Sequence, residues 1–347
     1  MELDARKMRI LQAIIDDYIM TAAPVGSRTI SKRADFNVSS ATIRNEMSDL
    51  EELGYLEQPH TSAGRIPSNK AYRLYVNHMM QRAQLNEQER RMIRAYFTAR
   101  LDQVEGLVRQ TATALSEITR YTAMVMAPQI ETVRIKHVQL VQLSPERVLM
   151  VLVTDNGMIR DVMLRLPEGM GAQDLDKFSV RLNNMLRDMR LDQVAVDEVL
   201  GMGEEMGAER AFFHSIMEAL ERHAHGNAQK VELSGATNIL HYPEYSDMNK
   251  VRGFLAALEG KDTLYNMLKK ASRLEFSVSI GEENEPDQLK DCSVITATYR
   301  IGNEPMGSFG IIGPTRMHYS RVLSILDYMQ LSLSEALAGL LEQDRLE

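Results

Sequence analysis

Apolar positions in the first twenty residues recur every three or four places. Met8, Leu11, Ile15 and Tyr18, with Ile14 and Ile19 alongside, form one stripe, so the pattern predicts a helix over residues 4 to 20. Pro24 and Gly26 break it, and Ser27 can cap a second helix running through about Ala34. Asn37-Val38 reads as a turn, and Ser39 or Ser40 caps a third helix with a stripe of Ile43, Met47, Leu50 and Leu53, which Gly54 stops. At about 100° per residue, Ser40, Thr42, Arg44, Asn45 and Ser48 fall mainly off that stripe. Tyr55 to Gln58 is strand-like, Pro59 to Gly64 a turn, and Arg65-Ile66-Pro67 a return strand. Ser68 or Asn69 opens a further helix through Val76 that leaves Lys70 and Arg73 exposed. Helix, helix, turn, helix and hairpin is the order of a winged helix-turn-helix, whose last helix offers its N-terminal part to the major groove.

Beyond residue 83 the texture alternates. Residues 84 to 121 are helical in pattern, with Leu101, Val104, Val108, Leu115 and Ile118 apolar. Residues 133 to 141 alternate, 148 to 153 make a buried-strand run, Asp155-Asn156-Gly157 is a hairpin turn, and 159 to 166 return. A second strand block spans Leu274 to Ile312, and a last helix, about Tyr319 to Leu341, carries Val322, Leu326, Met329, Leu333 and Leu337. Strands, helices, then strands again fit one α/β domain interrupted by an insertion, so the chain as a whole is α+β and multidomain.

Charge sharpens the reading of the N-terminal part. The 347 residues carry a net charge of −8, so the molecule as a whole does not suit polyanion binding. From Gln58 to Arg82, however, Arg65, Lys70, Arg73 and Arg82 stand against no acid. A small basic end on an acidic body suits a protein that docks one element on DNA. Arg pairs bidentately with guanine, Asn with adenine, and Ser and Thr bond to phosphates or bases. The expected reading residues are therefore Ser39, Ser40, Thr42, Arg44, Asn45 and Ser48 on the third helix. The wing and phosphate contacts are expected from His60, Thr61, Ser62, Arg65, Lys70 and Arg73. The bland alternative for the helix is a solvated face, which the hairpin that follows makes less economical.

The rest of the chain carries little chemistry. His223 and His225 are two apart, which on a helix points them to different faces and disfavours a metal. Cys292 is the single cysteine; it has no neighbouring base, cannot form an internal disulfide and fits a reducing cytoplasm. Residues 310 to 316 enter a helix whose free N–H groups and Arg316 could hold an anion, although a capped helix start is the plainer reading. No phosphate loop, membrane span or export signal stands out, and neither a cofactor nor a catalytic constellation is expected.

The segment VGSRTISKRADFNVSSATIRNEMSDLEELGYLEQPHTSAGRIPSNKAYRLYV resembles the DNA-binding part of the HrcA family of bacterial heat-inducible transcription repressors. VELSGATNILHYPEYSD, IGEENE, DCSVITATY and GSFGIIGPTRMHYSRV resemble further segments of the same family, so the resemblance covers essentially the whole chain. It implies a winged helix, a GAF-like α/β domain and a dimerising subdomain inserted into it. It also implies a repressor of chaperone operons that binds double-stranded DNA at an inverted repeat, CIRCE, as a homodimer, kept active by the GroE chaperonin. On these grounds the expected division is 1–82 winged helix, 83–104 helical connector, 105–191 with 271–347 GAF-like, and 192–270 dimerising insertion. Two rival functions are a ligand-responsive winged-helix regulator and an enzyme fused to a DNA-binding domain.

Overall fold

A computed structural model of the chain describes residues 3–33, 38–60, 63–97, 104–128, 134–154, 159–167, 169–190, 209–226, 231–302 and 304–343. Three helices and a hairpin come first. Helix α1 (Ala5–Thr21) starts where the Asp4 carboxylate accepts the Lys7 N–H at 2.8 Å and ends at Ala22 in the left-handed region. It buries Ile10, Leu11, Ile14, Ile15 and Ile19 against α2 (Ser27–Ser31) and α3 (Ser40–Glu52). The short hairpin β1 (Leu56–Glu57) and β2 (Ile66–Pro67) follows, then α4 (Asn69–Leu74), capped by Ser68. Helix α2 is shorter than expected. Its cap position is Gly26, and the Ser27 hydroxyl turns instead to Ser40 Oγ, 3.0 Å away. The expected turn at Asn37 and helix end at Ala34 lie outside the described residues.

The body is built on a five-stranded antiparallel sheet in the order β7-β3-β10-β9-β8. Its strands are β3 (Thr122–Met126), β7 (Val231–Ser234), β8 (Phe276–Ile280), β9 (Cys292–Ile301) and β10 (Glu304–Pro314). Period-two alternation sends Ala123, Val125, Ile295, Tyr299 and Phe309 to one face. There they meet α6 (Val104–Thr119) and α11 (Tyr319–Gln343). Met124, Met126, Val294 and Ile312 go to the other face, under α9 (Met248–Glu259) and α10 (Lys261–Ala271). Helix, sheet, helix is the layering of an α/β domain. Helix α5 (Glu87–Phe97) lies on α11 rather than spanning a gap: Ile93 is fully buried and Arg94 bonds the Tyr328 hydroxyl.

A second sheet stands apart, with its own core. Strands β4 (Ile135–Ser144), β5 (Arg147–Thr154) and β6 (Ile159–Arg165) pair as a meander. Their inner face packs on α7 (Ala172–Leu186) and α8 (Glu209–Gly226) through Phe178, Phe212, Phe213 and Ile216. This unit leaves the body after β3 and returns at β7, and those two strands are ladder neighbours, with Met126 opposite Val231. The sheets divide the chain differently from the expected insertion over 192–270 inside a domain of 105–191 and 271–347. The strands between 135 and 165 belong to the insertion, while β7, α9 and α10, between 231 and 271, belong to the body. The difference has a physical source. Strand pattern identifies a strand but not its partner, and the four-residue β7 pairs with a strand more than a hundred residues earlier.

Candidate nucleic-acid interface

Helix α3 is set by its cap and its stripe. Ser39 is extended and its hydroxyl accepts the Thr42 N–H at 3.1 Å, while touching Thr42 Oγ1 at 2.9 Å. Ile43, Met47 and Leu50 point into the core. That rotation leaves Ala41, Arg44, Asn45 and Ser48 exposed, at i, i+3, i+4 and i+7, as one outward stripe. Arg44, Asn45 and Ser48 make no side-chain hydrogen bond or ion pair among the described residues. Ser40 and Thr42 are half-buried; Ser40 is spent on joining the start of α3 to the start of α2.

Acids on this helix are neutralised from outside it. Lys7 of α1 reaches Glu46 at 2.8 Å and Asp49 at 3.0 Å, and Arg6 lies 3.5 Å from Glu46. The hydrogen bonds that Lys7 donates to the Glu46 and Asp49 carboxylates hold its ammonium above the ordinary lysine range. Glu51 pairs with Arg65. The consequence is a face whose carboxylates are largely compensated, so Arg44 meets an approaching polyanion with little opposing field.

The wing is stitched on both edges. Leu56 pairs with Pro67 and Glu57 with Ile66 on one side. On the other, Val25 and Arg65 exchange two backbone hydrogen bonds of 2.9 Å each. Gly64 makes this approach possible: a Cβ there would lie 2.5 Å from the Val25 carbonyl carbon and oxygen. At the tip, Ala63 N–H donates to the His60 carbonyl at 2.8 Å, Gln58 Nε2 donates to the Ala63 carbonyl at 3.2 Å, and His60 is exposed. Thr61 and Ser62 lie outside the described residues.

The basic segment after the wing behaves differently from its sequence. Arg65 is tied to Glu51, with Nε donating at 2.8 Å. Lys70 donates to the Leu53 carbonyl at 2.8 Å and sits 4.4 Å from the centre of the Tyr55 ring, so it closes the C-terminal end of α3. Arg73 donates to the Glu283 carboxylate and, at 2.6 Å, to the Val278 carbonyl. Arg82 lies 3.7 Å from Asp327. The acid-free run acquires its carboxylates through folding: Arg65, Lys70 and Arg73, expected to face phosphates, each hold a partner inside the protein in this arrangement. Two cations that sequence reading passed over are better placed. Arg28 and Lys32, on and just after α2, are exposed with no ion pair among the described residues, beside the start of α3. Only Ile30 of α2 is buried, so a helical projection of that short element would have shown both.

Elsewhere the candidate chemistry resolves into structure. The Cys292 thiol is buried 2.9 Å from the Tyr245 hydroxyl, and burial pushes it up to about 12. Arg316, weighed above as a possible anion holder, is engaged within the protein: its guanidinium bonds Glu244 and, at 3.1 Å, the Ile19 carbonyl. The side chains of His223 and His225 lie outside the described residues. Among the described residues, no helix is long and apolar enough to cross a membrane.

Comparison with known proteins agrees with this geometry. Residues 2–81 match the family model described as the winged helix-turn-helix transcription repressor, HrcA DNA-binding, and residues 105–323 that of the HrcA protein C terminal domain. A heat-inducible transcription repressor HrcA of Brevibacillus brevis is 43% identical over 341 residues, spanning 98% of this chain and 100% of its own. One from Desulforamulus reducens is 41% identical over 344 residues, spanning 99% of each. A solved structure titled a hypothetical protein shares the fold at a TM-score of 0.64 and 23% identity, covering 98% of this chain and 100% of that one. With a winged helix at its start and relatives of this identity along its full length, the chain belongs to the HrcA family of heat-inducible transcription repressors.

Proposed function

We propose that the chain represses chaperone operons in the cytoplasm as a homodimer. It binds the CIRCE inverted repeat in double-stranded DNA, has no catalytic role, and is maintained in its active form by the GroE chaperonin. One observation carries the DNA half of this reading: Arg44, Asn45 and Ser48 form a single outward stripe, without side-chain partners among the described residues, on a helix whose neighbouring acids are largely compensated. Arg44 and Asn45 read base edges in the major groove. Ser39, Ser40, Thr42 and Ser48, with Arg28 and Lys32, line the adjacent backbone, and His60, Thr61 and Ser62 bring the wing onto it.

The dimer half has support in the insertion. The outer face of its sheet carries an apolar row among polar ones: Val141, Leu149 and Met163 stand in one cross-strand row, and Leu143 and Ile159 are 55% and 67% exposed. An exposed apolar row rimmed by polar residues suits contact with a second copy. Two modules on one repeat gain by effective concentration, which a single winged helix lacks. The body, GAF-like by family resemblance, carries the insertion.

The test is competition binding of full-length protein to a duplex bearing the inverted repeat and to scrambled DNA, followed by footprinting on a chaperone promoter with and without chaperonin. Arg44→Ala is expected to weaken repeat binding by about 1–3 kcal/mol and to relax preference at particular base pairs. Equal losses on both duplexes would refute base reading by Arg44. A footprint indifferent to chaperonin would remove that partner from the account.

A further inference from the structure

The winged helix is fastened to the body by contacts thrown in both directions. From the DNA-binding side, Arg73 of α4 grips the Val278 carbonyl in the middle of β8 and the Glu283 carboxylate just beyond its end. From the body, Arg316 crosses to the Ile19 carbonyl, in the last turn of α1, while Glu244 holds its other edge and Tyr242 lies under it at 5.6 Å. An arginine on a terminal helix carbonyl satisfies a group that the helix itself leaves unpaired. Between the two clamps the rings of Tyr72 and Tyr319 meet at 5.9 Å, both almost fully buried. Asn69 fills the space over Gly281, where a Cβ would lie 2.1 Å from its Nδ2. The connecting segment is strapped along α11, with Ser324 donating to the Ala83 carbonyl at 2.6 Å and Ser320 to that of Gln81.

These contacts lie away from the reading face. Lys70 of α4 closes the C-terminal end of α3, whereas the reading stripe occupies the first nine residues of that helix and stays exposed in the docked state. Docking therefore fixes an angle without covering the site. The angle matters because two reading helices must meet two half-sites at once. A swing of about 20° on a lever of about 20 Å displaces the helix by about 7 Å, roughly two base pairs at about 3.4 Å each.

We propose that Arg73 and Arg316 are positioning residues for operator recognition: two opposed arginine clamps that lock the winged helix on the body and so set the half-site separation the dimer accepts. This rests on the reading of the chain as a dimeric DNA-binding repressor. Wild-type protein then shows a sharp optimum across duplexes whose inverted half-sites are separated by spacers varied one base pair at a time. Arg316→Ala and Arg73→Ala flatten that profile from about tenfold loss at two base pairs off optimum to about threefold or less, with binding to an isolated half-site unchanged. Arg73→Glu flattens it too, and Glu283→Arg added to Arg73→Glu restores part of the sharpness, which a general loss of stability would not allow. A profile as sharp in the variants as in wild type overturns the clamps and leaves DNA recognition standing. A fall in half-site affinity for Arg73→Ala with the spacing profile intact overturns its positioning role and returns it to the phosphate contacts.

A second measurement needs no DNA. Spin labels at Glu52→Cys on α3 and Glu335→Cys on α11 give a narrow distance distribution in the otherwise wild-type chain and a broad one once either clamp is cut. A distribution that stays narrow in the clamp variants overturns the proposal even if no duplex binds. Failure of wild type to prefer any inverted repeat would instead overturn the dimeric-repressor reading.

Discussion

Gly64→Ala isolates the seating of the wing. The added methyl would meet main-chain atoms, Val25 carbonyl carbon and oxygen at 2.5 Å and Pro24 carbonyl carbon at 2.8 Å, so no side-chain rotation relieves it. The cheapest response is to part the two strands, which gives up the paired Val25–Arg65 hydrogen bonds of 2.9 Å each. At about 0.5–1.5 kcal/mol apiece, the expected cost is about 1–3 kcal/mol, localised to the wing. Hydrogen exchange reads this directly: the Val25 and Arg65 amides lose about tenfold or more of their protection, while those in the interior of α1 change little. Repeat binding falls in parallel, because Arg65 no longer reaches Glu51 and the hairpin tip shifts. Gly253→Ala provides the opposite control. That position is inside α9 with open space around the new methyl, and alanine there is expected to stabilise by about 0.5–1 kcal/mol. If Val25 and Arg65 keep their protection in Gly64→Ala, the close approach does not constrain the wing and the reasoning fails.

Two further outcomes follow from charge and from exposed surface. Burial alone pushes the Glu283 carboxyl up, but the hydrogen bond from Arg73 and the Ile280 N–H outweigh it and hold the group below its ordinary 4.5. A carboxyl lowered by folding gives stability that is complete above that value and is lost as pH falls through the folded one. Docking of the winged helix, followed by proteolysis of the segment around Gln81 to Asn86 from about pH 6 to about pH 3.5, should therefore loosen in acid, and Glu283→Gln should flatten the dependence. Met163→Lys places a charge on the outer face of the insertion, where the side chain is 51% exposed and free to adopt it without unfolding; sedimentation is expected to show monomer, and an intact dimer would move the contact elsewhere.

The local part of this fold was legible and the long-range part was not. The stripe of Ile43, Met47 and Leu50, the cap at Ser39 and the stop at Gly54 define α3 from the chain alone, because each acts within a turn or two of itself. The outward placement of Arg44, Asn45 and Ser48 follows from the same stripe. What escaped was pairing between distant residues. Glu51 reaches Arg65 fourteen residues on, Glu283 reaches Arg73 from another domain, and Lys7 compensates Glu46 and Asp49 from another helix. A charge count over a window treats those cations as free, and only the tertiary fold brings in the counter-charges. The strand pairing around the insertion was hidden for the same reason: strands β4 to β6 pair locally and look continuous with β3, whereas β7 is recognisable only beside its distant neighbour.

The facing of Met126 and Val231 has a practical meaning for anyone cutting this protein apart. Opposed residues of an antiparallel pair stand about 5 Å apart, a gap that a turn of a few residues spans. The whole excursion between them hangs from one doorway in the sheet, so it can be excised and the doorway closed without reordering a strand or rerouting the chain. A minimal body carrying the winged helix, and the excised unit grafted onto an unrelated hairpin, are both reachable by joining those two ends.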